Sequence, residues 1–534
     1  MRHPVWLFAG LGLTLWVAIC GHAPAAHGQN GSAAVPGAEA RAAHAYDAAV
    51  WQGPPALRAF LVQFPKGADL HMHLSGAVYA ETLIRDAGED GLCVDTVALS
   101  LAQPPCIGNL ILATRFTGNI DRQTQLLYDK LIDALSIRSF VPSASWSTHD
   151  QFFAVFDRTG GLKDHNGEWV DEVASRAAAQ NQQYLELMVT PPFSHAAQIA
   201  HDIGWSPELA QADPQAFAQF RQQLLDKGLR DEVAADREEV RAAEAKRKQL
   251  EHCGTAQAAL ACQVEVRYIW TILRDFTPEQ VFAQTLLGFE TVESSIEAKD
   301  DTWVGINLVR PEDDYVTMRD YTQQMKMVGF LHALYPKVHI SLHAGELALG
   351  LVPPEGLRFH IRQAVELAHA ERIGHGVDVM HEDDAAGVLK ELAAQHVMVE
   401  INLSSNEAIL GVKGAEHPFP IYRAAHVPVA LSTDDEGVSR IDLTHEYVRA
   451  ALDYHLSYAD LKQLARTGME HDSLPGASLW ARQDDFSAPV DACKNQALSA
   501  EKPSAECKAF LDKSEKAAAQ WELERRFRAF EARW

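Results

Sequence analysis

Two histidines one residue apart are the first residues in this chain whose types and spacing could do chemistry. Residues 66–76 read KGADLHMHLSG, a short strand-like run. Alternate side chains of a strand point to opposite faces, so His71 and His73 share one face and could grip one ion. That makes half of a metal site. Imidazole nitrogen suits zinc, and a catalytic zinc needs more protein ligands than two while keeping a place for water. Paired histidines also occur as hydrogen-bonded core or surface residues, so this pair alone does not decide the matter.

Three later stretches offer the missing groups. In SLHAGE an apolar run stops at His343 and turns through Gly345 to Glu346. In RIGHG, His375 stands between two glycines that let backbone approach closely. In LSTDD, Asp434 and Asp435 follow directly on an apolar run. Each has an ordinary structural alternative: a helix cap for Asp434 or Asp435, a buried hydrogen-bonded histidine for His375, a solvent-facing turn for Glu346. Polar groups at successive strand ends outweigh these alternatives if the strands belong to one barrel, because their C-terminal ends then converge on one mouth.

The elements that would position them are readable. Apolar runs at 183–189, 264–273, 302–309, 338–343, 372–375, 397–403 and 427–432 join the first strand to make eight. Helix-like segments at 317–335, 355–370 and 383–395 separate the later ones. Strand and helix in alternation imply parallel strands with right-handed crossovers, and eight units predict an α/β fold, a closed (β/α)8 TIM barrel. Residues 121–140 and 168–183 also have helical spacing. Two insertions interrupt the pattern. Residues 80–119, with Cys93, Cys106 and Pro104-Pro105, read as an insertion after the first strand that folds over whatever that strand presents. Residues 205–262, between the second and third strands, contain DEVAADREEVRAAEAKRKQLE, in which Glu244 and Lys248 stand four apart, as do Asp226 and Arg230 just before it. Such pairs favour an exposed helical hairpin over a binding surface. At the end, Leu523, Phe527 and Phe530 at helical spacing, with Phe510 and Trp521 before them, predict a docking helix.

At this point HMHLSGA, SLHAGE, RIGHG and LSTDD together resemble, in order, the four signatures of the adenosine deaminases among the metal-dependent amidohydrolases. VGINL and EINLSSN are weaker matches, and the resemblance covers residues 65–461. It is most similar to the secreted members, including the adenosine deaminase-related growth factors. The resemblance implies a (β/α)8 barrel with one zinc ion that hydrolyses the 6-amino group of adenosine or 2′-deoxyadenosine. By the same resemblance, His71, His73, His343 and Asp434 hold the ion, and His375 orients the attacking water and stabilises or accepts its proton. Glu346 donates a proton to N1, Asp435 bonds N7, and the backbone N–H of Gly305 meets N3. There are departures. Ser75 stands where many members carry an aspartate resembling a ribose 5′-hydroxyl contact, Glu436 where proline is common, and Met188 where arginine is frequent. Ser75 keeps open another aminopurine, adenine or a 5′-modified adenosine, and a secreted non-catalytic binder is the rival from another class.

Composition bounds the partners. A net charge of -25 over 534 residues argues against a nucleic-acid backbone or an anionic membrane and leaves small molecules, here a purine nucleoside. The N-terminus has a basic start, an apolar run over 5–19 and then small residues, which describes a signal peptide at 1–25. Cleavage is expected after Ala25, with Gly28 as second choice, and the run is too short to favour a permanent span. The bulky Ile19 argues against lipid anchoring at Cys20. Residues 26–60 then form a mature N-terminal segment and 61–534 the barrel with its helical extension. The other six cysteines fall as neighbours, Cys93 with Cys106, Cys253 with Cys262, Cys493 with Cys507. Fifteen connectivities are possible, but an even count and local spacing suit an oxidising, periplasmic or extracellular compartment.

Overall fold

Eight runs of apolar sequence pair side by side in chain order: β1 (Gly67–His73), β2 (Gln182–Val189), β3 (Glu265–Leu273), β4 (Trp303–Val309), β5 (His339–Ala344), β6 (Arg372–His375), β7 (Met398–Ile401) and β8 (Val429–Leu431). Every neighbouring pair is parallel. All residues of β2 and β4 are buried, which is why these strands read as continuous apolar runs and not as alternating ones. The ring closes where chemistry was expected: Asp434 N–H donates to His71 O at 2.9 Å and His73 N–H to Asp434 O at 3.0 Å, bridging the chain after β8 to β1. The expected (β/α)8 barrel is therefore present. This computed structural model describes residues 37–163, 165–300, 302–498, 500 and 502–534, and the expected signal peptide, its cleavage after Ala25 and Cys20 lie outside them.

Crossover helices include Pro278–Ala298, Tyr315–His332 and Ala385–Gln395. The helix expected over 355–370 is shorter, a single turn at Pro354–Leu357 and then His360–Glu366. Pro353, Pro354 and Gly356 explain this, since proline lacks the N–H and glycine pays more entropy in a helix.

The first insertion is a helix, Ala80–Glu89, with a three-stranded antiparallel sheet (Cys93–Asp95, Ser100–Ala102, Leu110–Leu112) and the Cys93–Cys106 disulfide. It does not cover the mouth as expected. Ile84, Val94 and Phe116 pack with Leu131 and Ile132 into a separate apolar cluster, and the mouth is walled by the later helix Thr148–Arg158.

In the second insertion the helices Pro214–Asp226 and Val233–Leu250 form, and Glu244 lies 3.4 Å from Lys248. The hairpin is not merely solvated, because Val240, Ala243 and Arg247 are buried. Nor do Asp226 and Arg230 pair. The helix stops at Asp226, Gly228 turns the chain at φ 95°, and Arg230 reaches Glu290 with bonds of 2.8 and 2.9 Å.

Helices Ala505–Leu511 and Glu515–Glu531 end the chain, and Phe527 and Phe530 pack on Phe60 and Phe64. Cys253–Cys262 and Cys493–Cys507 are the other disulfides. Among the described residues no helix is long and apolar enough to cross a membrane.

Candidate active site

The ends of β1, β5 and β8 bring four donor atoms together. Nε2 of His343 lies 3.2 Å from Nε2 of both His71 and His73, and Asp434 Oδ1 lies 3.5 and 3.3 Å from those two nitrogens. Ligands at bond lengths of about 2.0–2.1 Å around a tetrahedral ion stand roughly 3.3–3.4 Å apart, so the spacing fits one ion of zinc's size.

The tautomers fit as well. His71 Nδ1 donates to Glu400 Oε2 at 2.6 Å and His343 Nδ1 to Asn307 Oδ1 at 2.9 Å. Both Nε2 atoms are thereby bare, and bare lone pairs in van der Waals contact repel unless a cation lies between them. Burial opposes ionisation of Glu400, but Arg372 and His71 overcome it and hold the carboxylate below its ordinary range. Arg372 donates to Glu400 at 2.6 Å and to Glu186 at 2.5 Å, tying β6 to β7 and β2. Ser405 Oγ donates to the outer oxygen of Asp434.

Two local backbone features follow from this crowding. A Cβ at Gly374 would stand 2.5 Å from Cε1 of His71, and one at Gly76 would stand 1.5 Å from Oδ1 of Asp435. Both positions need glycine for the neighbouring functional side chain to fit. Asp434 and His375 themselves sit at φ 61° and 69°, a conformation costing on the order of 1–3 kcal/mol for a side-chain-bearing residue. The closing ladder bonds around them hold that strain in place.

Three further groups converge on the donor cluster with atoms unpaired. Glu346 Oε1, Asp435 Oδ1 and His375 Nε2 are buried without a hydrogen-bond partner. The turn carrying Glu346 is held from its backbone: Gly345 and Glu346 N–H donate to Glu312 at 3.0 and 2.8 Å. Burial, then the charge of Asp434, pushes both Glu346 and Asp435 well above the usual carboxylate range, which favours the protonated form of each. Burial lowers His375 to about 3, leaving the ring neutral. Glu346 Oε1 lies 3.2 Å from His375 Nδ1, but not in line for a bond.

Glu346 and Asp435, with His73, His343 and Asp434, floor a cavity of about 530 Å³ that Ser75 also lines. Trp146, Phe152, Phe153 and Phe156 form its apolar wall. Its rim is acidic, with Asp150, Asp157, Asp275 and Asp314, and its guanidinium, Arg310, lies 3.4 Å from Asp275.

Gly305 is not brought here. It pairs with His339, the first residue of β5, at the end of β4 away from the cavity, and its open side faces the His339 carbonyl. Val309 and Arg310, at the other end of β4, line the cavity instead. The expected Gly305 contact is therefore withdrawn.

The sequence reading also missed several groups. Asn307 and Glu400 were visible as lone polar residues within apolar strands, positions that normally need a buried partner. The wall helix was visible as Ser147 and Asp150, a capping box, ahead of FFAVF.

A family model described as adenosine deaminase matches residues 149–478. An adenosine deaminase from Clostridium perfringens is 33% identical over 132 residues, 24% of this chain and 36% of that protein, so the match spans about a third of the relative's length. A solved amidohydrolase from Burkholderia ambifaria with bound Zn shares the fold at 17% identity and a TM-score of 0.50, covering 89% of this chain and 95% of that one. The N6-methyl-AMP deaminase of Arabidopsis thaliana has 22% identity and a TM-score of 0.47, covering 78% and 94%.

Proposed function

The chain belongs to the adenosine deaminase family, and from that premise we propose that it hydrolyses adenosine or 2′-deoxyadenosine to inosine or 2′-deoxyinosine and ammonia, using one zinc ion. The observation that carries this reading is the pairing of a convergent three-imidazole, one-carboxylate donor set with two buried carboxyls, Glu346 and Asp435, each with an oxygen that has no hydrogen-bond partner and each pushed towards its protonated form. A buried acid held towards its protonated form and without an acceptor in the protein is poised to donate to a ligand.

His71, His73, His343 and Asp434 would hold the zinc, which lowers the pKa of water towards neutrality and so supplies the nucleophile. Everything else falls to side chains. Glu346 gives its proton to N1, drawing electron density from C6 so that the ring carbon accepts the attacking oxygen; of the water's two protons one restores Glu346 and the other goes to the amino group, whose bond to C6 breaks to release ammonia. Asp435 donates to N7 and holds the purine edge in register. His375 orients the water. The aromatic wall of Thr148–Arg158 excludes solvent on the opposite side.

The rim supports a nucleoside over a nucleotide, because a dianionic phosphate would meet four carboxylates and a guanidinium already paired with one of them. Ser75 supports a second reading, adenine or a 5′-modified adenosine, since it offers that part of the cavity a small neutral hydroxyl. Three disulfides suit an oxidising compartment, and we place the reaction in the periplasm or outside the cell. Ammonia release over a panel of adenosine, 2′-deoxyadenosine, adenine, a 5′-modified adenosine and AMP tests the assignment. Adenosine or its deoxy form should turn over fastest and AMP least, whereas a nucleoside bound and returned unchanged would leave only a binding protein.

A further inference from the structure

Behind His375 runs a line of buried groups that the reaction as written does not use. Phe419 opens the helix Phe419–Ala424, and its backbone N–H, which has no partner within the helix, donates to Nδ1 of His417 at 3.1 Å. A backbone N–H can only donate, so that nitrogen is bare and the proton of the neutral ring sits on Nε2. His417 is neutral because burial lowers its pKa to about 3. Its Nε2 stands 3.0 Å from Oδ1 of Asn406, which therefore accepts, and this orients the amide so that Nδ2 faces His375 Nδ1 at 2.8 Å. An amide NH2 has no lone pair to offer, so His375 Nδ1 must be the acceptor. Asn402 presents a second amide nitrogen to the same atom at 3.4 Å. His375, Asn406 and His417 are 0%, 0% and 2% exposed, so no bulk water competes for these bonds.

We propose that His417 and Asn406 are positioning residues that fix His375 in the form protonated at Nε2, so that it meets the attacking water as a hydrogen-bond donor and not as a base. Each bond in the line has one permitted direction, set at its far end by a helix N–H 44 residues away from His375 in sequence. A ring locked this way has no free lone pair at Nε2. Of the roles the family resemblance gives His375, orienting the attacking water and stabilising or accepting its proton, only orienting it through a bond to its oxygen is then available. The unpaired Nε2 identified above is the atom that carries this donor.

The inference rests on the deaminase reading for its consequence, but not for its test. Neutron diffraction from crystals of the full chain grown in heavy water should show deuterium on Nε2 of His375 and none on Nδ1. Deuterium on Nδ1 would overturn the proposal, and this arm needs neither a variant nor turnover. In the kinetic arm, Asn406→Asp keeps the size of the side chain but can only accept, which turns the His375 proton round to Nδ1. With zinc content unchanged, kcat for adenosine should fall by about 100-fold or more, the scale of a lost acid–base or donor interaction, while KM stays within about three-fold. A variant that binds zinc and keeps the parental kcat would overturn it. If the parent protein releases no ammonia at all, the deaminase reading fails, and the neutron map still decides the tautomer.

Discussion

Replacing Glu346 by glutamine removes a transferable proton while leaving the outline of the site intact. The turn that carries it is held through backbone N–H bonds to Glu312, which the substitution does not touch, and Glu346 is outside the four-residue donor set around His343. Glutamine can still donate a hydrogen bond to N1, so ground-state binding should change little. What is lost is proton transfer in the transition state, worth about 10²–10⁴-fold for a positioned general acid, or about 2.7–5.4 kcal/mol at 1.36 kcal/mol per decade. The upper half of that range applies here, because the carboxyl is only 5% exposed and water has little room to replace it. Initial rates of ammonia release measured with metal analysis on the same sample separate the effects. Glu346→Gln should retain its zinc and an unchanged KM, with kcat down at least about 1,000-fold. A variant with zinc bound and more than a tenth of the parental kcat would refute the assignment of Glu346 as the acid.

Other consequences follow from the same geometry. Glu400→Gln loosens the bond that orients His71 and should weaken zinc binding by about 10–100-fold in a competition titration, whereas His73→Ala should remove stoichiometric zinc altogether. Asp236 lies away from the site, and burial, then Glu232 and Glu239, raise its carboxyl to about 8. Its contribution to stability is therefore fully present below the unfolded value of 3.8 and is lost as pH rises towards 8. Asp236→Asn should thus melt higher than the parent at pH 8, by a margin that shrinks by about 1.4 kcal/mol per pH unit and vanishes near the unfolded value. A margin that stays constant with pH would show that the carboxyl is ionised in the fold. Opening the Cys93–Cys106 loop by replacing both cysteines with alanine should cost about 3 kcal/mol in denaturant unfolding. Peptide mapping without reduction should recover the three local disulfides, and free thiols at these positions would contradict them.

The barrel was legible because each strand is a short apolar run with helix-forming sequence after it, and because a strand that ends in His, Gly-Glu or Asp-Asp declares where its polar end lies. Glu346, His375, Asp434 and Asp435 were readable for that reason, and the structure brings them together with His71, His73 and His343. Gly305 was misread because glycine was taken as the sign of close approach, when position along the strand decides what reaches the mouth. Gly305 lies four residues before the end of β4. Four-residue spacing likewise failed for Asp226 and Arg230, since it has meaning only within one unbroken helix. The cavity wall and the line through Asn406 and His417 depend on how separate segments meet after folding, and no local pattern states that.

The central claim is that four strand-end ligands hold a zinc that, with Glu346, deaminates an aminopurine nucleoside. It is tested most directly by following adenosine with purified protein before and after metal removal. Inosine and ammonia should form in equal amounts, stop when a chelator strips the ion, and resume when about one equivalent of zinc is returned. Product formation that continues at full rate in protein shown to be free of metal, or none at all from adenosine, 2′-deoxyadenosine or another aminopurine once zinc is bound, would contradict it.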